Sequence, residues 1–232
     1  MKTLVLFDID GTILKSGGAG RLAMEQALLE TFGMSGDPSY HYDGKTDRQI
    51  VRELLQGAGY DDAEIDAKMP VVLQRYLDAL HDTFSSGARA VTIYDGVESL
   101  IDAVEARPDT VLGLLTGNIL PGAHLKLGAA GLDTKRFVVN AFGSDHEVRA
   151  ELPAIAHRRM HETFGVVLAG RDVVVIGDTP ADISCGRALG ARAIAVATGR
   201  YSVEDLRAHH PFAVFETLAD TSAVLDAIGT SG

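Results

Sequence analysis

Two aspartates spaced by two, Asp8 and Asp10, stand where the apolar run Thr3 to Ile9 gives way to Gly11 and Thr12. Residues two apart on an extended chain project to the same side. Two carboxylates at the end of an apolar strand repel each other and are costly there without a cation. Gly11 permits a tight turn and a close approach of a ligand to the backbone. The plainer alternative is a pair of solvated loop acids, but loops rarely need two acids in that frame.

A second apolar run, Val173 to Ile176, delivers Asp178 at its end, and Asp182 follows four residues on. If the runs are parallel strands, Asp178 arrives on the same sheet edge as Asp8 and Asp10. Oxygens gathered there suit Mg²⁺, which takes one or two carboxylates, backbone oxygen, water and substrate phosphate. Asp182 has two readings: a further acid beside that site, or the first-turn acid that favours a helix dipole. A third run closes in Thr116-Gly117-Asn118, offering a hydroxyl, a glycine and backbone N–H groups to phosphate oxygens where a helix begins. Thr-Gly-Asn is also ordinary turn chemistry, and its weight comes from the company of the two aspartate-bearing strand ends.

The elements that must position these groups are legible as apolar runs. Thr3 to Ile9, Thr110 to Leu115, Phe137 to Asn140, Val173 to Ile176 and Ala193 to Ala197 read as buried parallel strands, with Phe212 to Phe215 a weaker sixth. Between them, Val97, Leu100, Ile101 and Val104 mark one helical stripe, and Leu152, Ile155, Ala156 and Met160 another. The alternation predicts an α/β fold, a doubly wound, Rossmann-like, mainly parallel sheet with ligands beyond its C-terminal strand ends.

One stretch breaks the rhythm. Roughly eighty residues separate the first strand from the turn Tyr94-Asp95-Gly96, far more than a usual crossover. Leu22, Ala23, Ala27 and Leu28 share one helical face there, and Ile50, Val51, Leu54 and Leu55 a second. Met69, Val72, Leu73, Tyr76, Leu77, Leu80 and Phe84 form a third. The expectation is an α-helical cap domain over residues 15–89, inserted into a catalytic core of residues 1–14 plus 90–232. Its hinges fall near Ser16 to Gly20 and Ser85 to Arg89, both rich in small residues.

Composition narrows the partners. A chain of 232 residues, 46% hydrophobic, can bury a core without disulfides, and Cys185 is its single cysteine. The formal net charge of −11 and the lack of a dense basic block exclude nucleic acid as the expected partner. Phosphate can still bind an acidic protein where the site carries a cation. The opening apolar run meets Asp8 too soon for a signal peptide or a membrane span, which points to the cytoplasm.

In order and spacing these motifs resemble the haloacid dehalogenase (HAD) superfamily of hydrolases, in its phosphoglycolate-phosphatase-like branch with a helical cap after the first strand. The likeness spans nearly the whole chain, through residues 8–12, 114–118 and 177–182. It implies that Asp8 is the nucleophile, and that Asp10 is the general acid and base with its backbone carbonyl on magnesium. It implies that Thr116 is catalytic and binds phosphate with Gly117 and Asn118, that Gly11 and Thr12 touch substrate, and that Asp178 completes a Mg²⁺ site of Asp8 and Asp10, with Asp182 nearby. The chemistry agrees, since a carboxylate nucleophile splits hydrolysis into two easier displacements through an aspartyl-phosphate. Asp10 must protonate the leaving alkoxide and then deprotonate water, so its carboxyl should not be a tight metal ligand. Dehalogenases of the superfamily generally lack this second acid, so Asp10 favours phosphate esters.

The family places a lysine before the helix preceding the last motif, and here no lysine follows Lys135. Among Arg149, Arg158 and Arg159, Arg149 sits best, just ahead of the helix expected near Leu152. Its other reading is a surface arginine paired with Glu147 or Glu151. The expected activity is Mg²⁺-dependent hydrolysis of a small phosphorylated metabolite. A sugar-phosphate mutase and a receiver-like module, phosphorylated on aspartate without rapid turnover, are the alternatives; the cap and Asp10 speak against the second.

Three lesser patterns complete the reading. Gly44-Lys45-Thr46 is similar to the end of a nucleotide P-loop, but Ser39 stands where the earlier glycine is required. The Asp43 to Asp47 loop either reaches into the site, with Lys45 touching substrate, or forms a helix N-terminal turn before Ile50. Gly18-Ala19-Gly20 reads as a hinge rather than a dinucleotide fingerprint, and His157 and His161 lack a partner in register for zinc.

Overall fold

The computed structural model describes residues 2–229; positions 1 and 230–232 of the expected core segments lie outside them. In chain order come β1 (Thr3–Phe7), β2 (Leu14–Lys15), α1 (Ala19–Phe32), α2 (Asp47–Gly57), α3 (Asp62–Ser85), β3 (Thr92–Ile93), α4 (Val97–Glu105) and β4 (Thr110–Thr116). Then follow α5 (Leu120–Ala129), β5 (Val139–Phe142), α6 (Leu152–Phe164), β6 (Val173–Gly177), α7 (Pro180–Cys185), β7 (Arg192–Val196), α8 (Val203–Arg207), β8 (Ala213–Phe215) and α9 (Thr221–Gly229).

Among the described residues the main sheet has the order β5-β4-β1-β6-β7-β8, and each adjacent pair is parallel. The chain steps from β1 to β4 and β5 on one side, then crosses back to β6, β7 and β8 on the other. Direction therefore reverses across β1, the place where open α/β sheets bind ligands. Register does the rest: Phe7 is level with Leu114 of β4 and Ile176 of β6. The residues that follow, Asp8, Thr116 and Asp178, emerge side by side from one edge.

Strand alternation explains the two layers of core. Val5, Phe7, Leu112, Leu114, Val174 and Ile176 face α4 and α9. Leu4, Leu6, Leu115, Val139, Val173 and Val175 face the opposite side, where α6 supplies Leu152, Ala156 and Met160. Both strand faces are covered, which is why the sequence shows continuous apolar runs rather than alternation.

The expected helical insertion is α1, α2 and α3, with a core of its own around Met24, Leu28, Val51, Leu55, Val72 and Tyr76. Thr46 caps α2 by accepting from the Gln49 N–H at 3.1 Å, and Asp61 caps α3 by accepting from the Glu64 N–H at 2.9 Å. The antiparallel pair β2–β3 ties together the two points where the chain enters and leaves this cap. Gly17 and Gly18, at φ of 59° and 80°, make the left-handed entry to α1 that side chains would resist.

Several expectations shift, and β1 ends at Phe7 rather than Ile9. Leu22 is 44% exposed, because α1 turns Ala19, Ala23, Met24, Ala27 and Leu28 inward instead. β5 begins at Val139 rather than Phe137, since Phe137 closes a turn by donating its N–H to Thr134 O at 3.3 Å before pairing starts. No helix among the described residues is long and apolar enough to cross a membrane.

Candidate active site

Asp8 leaves the end of β1, with its N–H donated to Ile176 O at 2.9 Å and its side chain buried. A turn closed by Ile13 and Leu14 N–H groups on Ile9 O sends the chain back, and Gly11 takes φ of 84° within it. A Cβ on Gly11 would strike the Asp178 carboxylate, and so would one on Gly199. Asp178 is therefore wedged between two glycines, and Thr12 Oγ1 donates to its Oδ1 at 3.1 Å. Close packing as well as turn geometry demands glycine at position 11.

Asp8, Asp178 and Asp182 bring carboxylate oxygens within 4.8 Å of one another. Burial pushes Asp8 up to about 6 against the opposing pull of Arg149, with Asp182 and Asp10 adding to the rise. Burial, then Asp182 and Asp8, drive Asp178 well above the usual carboxylate range. Asp8 Oδ1 is moreover buried with no hydrogen bond. Crowded, desolvated carboxylates with an unsatisfied oxygen are a hard-oxygen donor set that a divalent cation would complete, so these residues fit Mg²⁺. Asp182 contributes least to such a set. Its Oδ2 accepts from Thr179 N and Oγ1 at 3.0 and 2.7 Å in a capping box, and its Oδ1 pairs with Arg149.

Arg149 stands in a short turn just before α6 and is buried, not on the surface. Its Nη2 lies 3.2 Å from Asp8 Oδ1, pairs with Asp182, and reaches Leu115 O at 3.4 Å. The 3.2 Å approach to Asp8 is an ion pair without hydrogen-bond geometry, consistent with the bare Asp8 oxygen. Glu147 pairs instead with Arg52 and Arg48 of the cap. Arg158 pairs with Glu162, and Arg159 with Asp145, away from these carboxylates.

At the end of β4, Asn118 Nδ2 donates to Thr116 Oγ1 and to Asp10 Oδ2, both at 2.8 Å. Gly117 has no room for a side chain, because the Lys45 carbonyl of the cap loop lies where its Cβ would be. The Asp43 to Asp47 loop does reach the site: Asp47 donates its N–H to Gly117 O, and its Oδ2 accepts from Ile119 N, both at 2.8 Å. Lys45 does not turn its ammonium to the carboxylates. Its Nζ is held by Glu53 at 2.6 Å and Tyr40 Oη at 2.9 Å within the cap.

Sequence reasoning missed Lys126, and it named Asp47 only as the end of the cap loop. Lys126 Nζ donates to Asp10 Oδ2 and Asn118 Oδ1, both at 2.6 Å. The available signal was a lysine between Leu125 and Leu127 in the mainly apolar helix that follows Asn118, whose other polar side chain is His124. Asp47 is buried, and that burial pushes it up to about 6 against Lys126 and the Ile119 N–H. Between core and cap these groups enclose a cavity of about 230 Å³, bordered by Asp8, Asp10, Asp178, Tyr42, Lys126 and Arg200. His157 meets Leu168 O at 2.8 Å.

The doubly wound sheet, with three aspartates and a buried arginine at its switch point under a helical cap, is similar to known hydrolases. The HAD-hydrolase-like family model matches residues 151–221. The phosphoglycolate phosphatase of Colwellia psychrerythraea is 23% identical over 224 residues, 93% of each chain. A hydrolase from Pseudomonas syringae shares the fold at a TM-score of 0.73 and 18% identity, over 99% of this chain and 100% of that one. CbbY from Rhodobacter sphaeroides, solved with phosphate, does so at 0.66 and 17%, over 95% and 96%. Over residues 151–221 and in its fold, the chain is thus similar to phosphatase-like hydrolases of the haloacid dehalogenase type.

Proposed function

We propose that the protein hydrolyses small phosphate monoesters in a Mg²⁺-dependent reaction, with Asp8 as covalent nucleophile. The observation that supports this best is the buried Asp8 carboxylate with an unsatisfied oxygen, beside Arg149 and Asp178 in the cavity between core and cap. Asp8 attacks phosphorus while Arg149 offsets the repulsion between two anions. Thr116 and the backbone N–H groups after it hold phosphate oxygens. Asp10 gives a proton to the leaving alcohol oxygen, and then takes one from the water that cleaves the aspartyl-phosphate. Mg²⁺ held by Asp8, Asp178 and the Asp10 carbonyl would supply charge neutralisation to phosphoryl transfer. Residues 15–89 close over the reaction and exclude water, which strengthens every one of these electrostatic contacts.

The test is phosphate release from a panel of monoesters with Mg²⁺ present, together with intact-protein mass measurement after rapid quench. The expected results are release from at least one ester and a transient gain of one phosphoryl group that Asp8→Asn abolishes. A wild-type protein that releases no phosphate from any ester would overturn the reading.

A further inference from the structure

Lys126 is a buried ammonium in a helix whose other inward residues are Gly122, Ala123 and Leu127. Burying a lysine is costly unless its charge and donors are met. They are met by two partners, both in the reaction site. Nζ donates to Asp10 Oδ2 and to Asn118 Oδ1, and Asn118 Nδ2 donates to that same Asp10 oxygen. Gly20 of α1 keeps the space beside Nζ open, since a Cβ there would stand only 3.2 Å from it.

The geometry points to Lys126 as a positioning residue that fixes the Asp10 carboxyl, clamping Oδ2 from two sides so that Oδ1 is the oxygen that exchanges protons with the leaving group. This rests on the phosphatase reading and deepens it. As Asp8 bonds to phosphorus, the bond from phosphorus to the alcohol oxygen breaks. That oxygen keeps the electron pair and takes the proton from Asp10 Oδ1. The Asp10 carboxylate left behind carries its charge beside Lys126. Two donors on one oxygen leave the carboxyl a single free face, and orientation of this kind is what makes proton transfer efficient. Lys126 touches no reacting atom and acts through Asp10.

The test compares two esters. A p-nitrophenolate leaves readily without a proton, whereas a simple alkoxide does not. The parameter kcat/KM reports steps up to the first irreversible one, which includes departure of the alcohol. In Lys126→Met we expect kcat/KM for a simple alkyl phosphate to fall by about a hundredfold, and that for p-nitrophenyl phosphate to fall by less than about tenfold. Lys126→Arg, which keeps a cation with several donors, should recover part of the alkyl ester rate. A partly misfolded variant lowers both substrates alike, so the ratio isolates the effect on Asp10. Equal loss on both esters would overturn the assignment while leaving the phosphatase reading intact. If the wild type releases phosphate from no ester of the panel, the phosphatase reading itself falls and the inference with it.

Discussion

Arg149 Nη2 lies 3.2 Å from Asp8 Oδ1 while the same nitrogen pairs with Asp182. Asp182 is itself fixed by the capping box of α7. The guanidinium is thus anchored on a second carboxylate, which in the proposed reaction would hold it in place as phosphate approaches Asp8. In the proposed reaction an arginine here would perform the charge neutralisation that the resemblance assigns to a lysine, at the expense of bulk and of any ability to lose its proton.

Arg149→Ala should cut turnover by about a hundredfold or more, equivalent to about 2.7 kcal/mol of transition-state stabilisation. Arg149→Lys should recover part of it. Steady-state kinetics on one good ester decides the matter, and an alanine variant within about threefold of wild type would take Arg149 out of the reaction.

Asp8→Asn should lose turnover and keep its fold. An amide cannot attack phosphorus, and burial already disfavours the charged form of Asp8. In chelator the variant should melt no lower than wild type, because it removes one of three crowded acids. Circular dichroism melts alongside phosphate assays check both halves.

Added Mg²⁺ should raise the thermal midpoint of the wild type, since a ligand that binds only the folded state stabilises it by mass action. Asp178→Ala should need a higher Mg²⁺ concentration for activity, or lose activity altogether. Full activity in excess chelator would sink the metal requirement.

The sheet was readable because its strands are buried on both faces, and the acids were readable because each ends such a strand. Asp8, Asp10 and Asp178 needed only a parallel arrangement to converge, and the register of β1 with β4 and β6 supplies it. Lys126 was not readable in that way. It lies a helical distance beyond Asn118, and only the packing of α5 under the cap helix α3 turns it back onto Asp10. Lys45 is placed differently from what its motif position suggested: it borders the cavity, but its ammonium pairs with Glu53, eight residues on. Leu22 shows the limit of periodicity, since a one-face pattern in α1 fits more than one rotation about the helix axis.

Replacing residues 43–47 should alter preference among esters more than the rate on a small generic one. This loop contacts the core through Asp47 and Gly117, and Gly44 packs on Thr179 and Ala181 so closely that a Cβ would clash. The neighbouring Arg52 of α2 grips Glu147 two residues before Arg149. Glu147→Ala should therefore loosen closure and raise KM across substrates. Equal loss on every ester after the loop exchange would mean that the loop only braces the fold.

Asp47 gives the stability of the protein a pH dependence of known sign. Burial raises its folded value from 3.8 to about 6, with Lys126 and the Ile119 N–H opposing. Between these two values the folded state binds more protons than the unfolded one, so this group's contribution weakens as pH rises. It favours the fold fully below about pH 4 and is lost once pH passes the folded value. Asp47→Asn removes the titration and keeps an oxygen able to accept from Ile119. Relative to this variant, the wild type should lose on the order of 3 kcal/mol of unfolding free energy between about pH 4 and pH 7. Urea melts in chelator across that range measure the difference, in which the other acids largely cancel. A difference that stays constant with pH would show that Asp47 is ionised throughout, held so by Lys126 more strongly than burial opposes it.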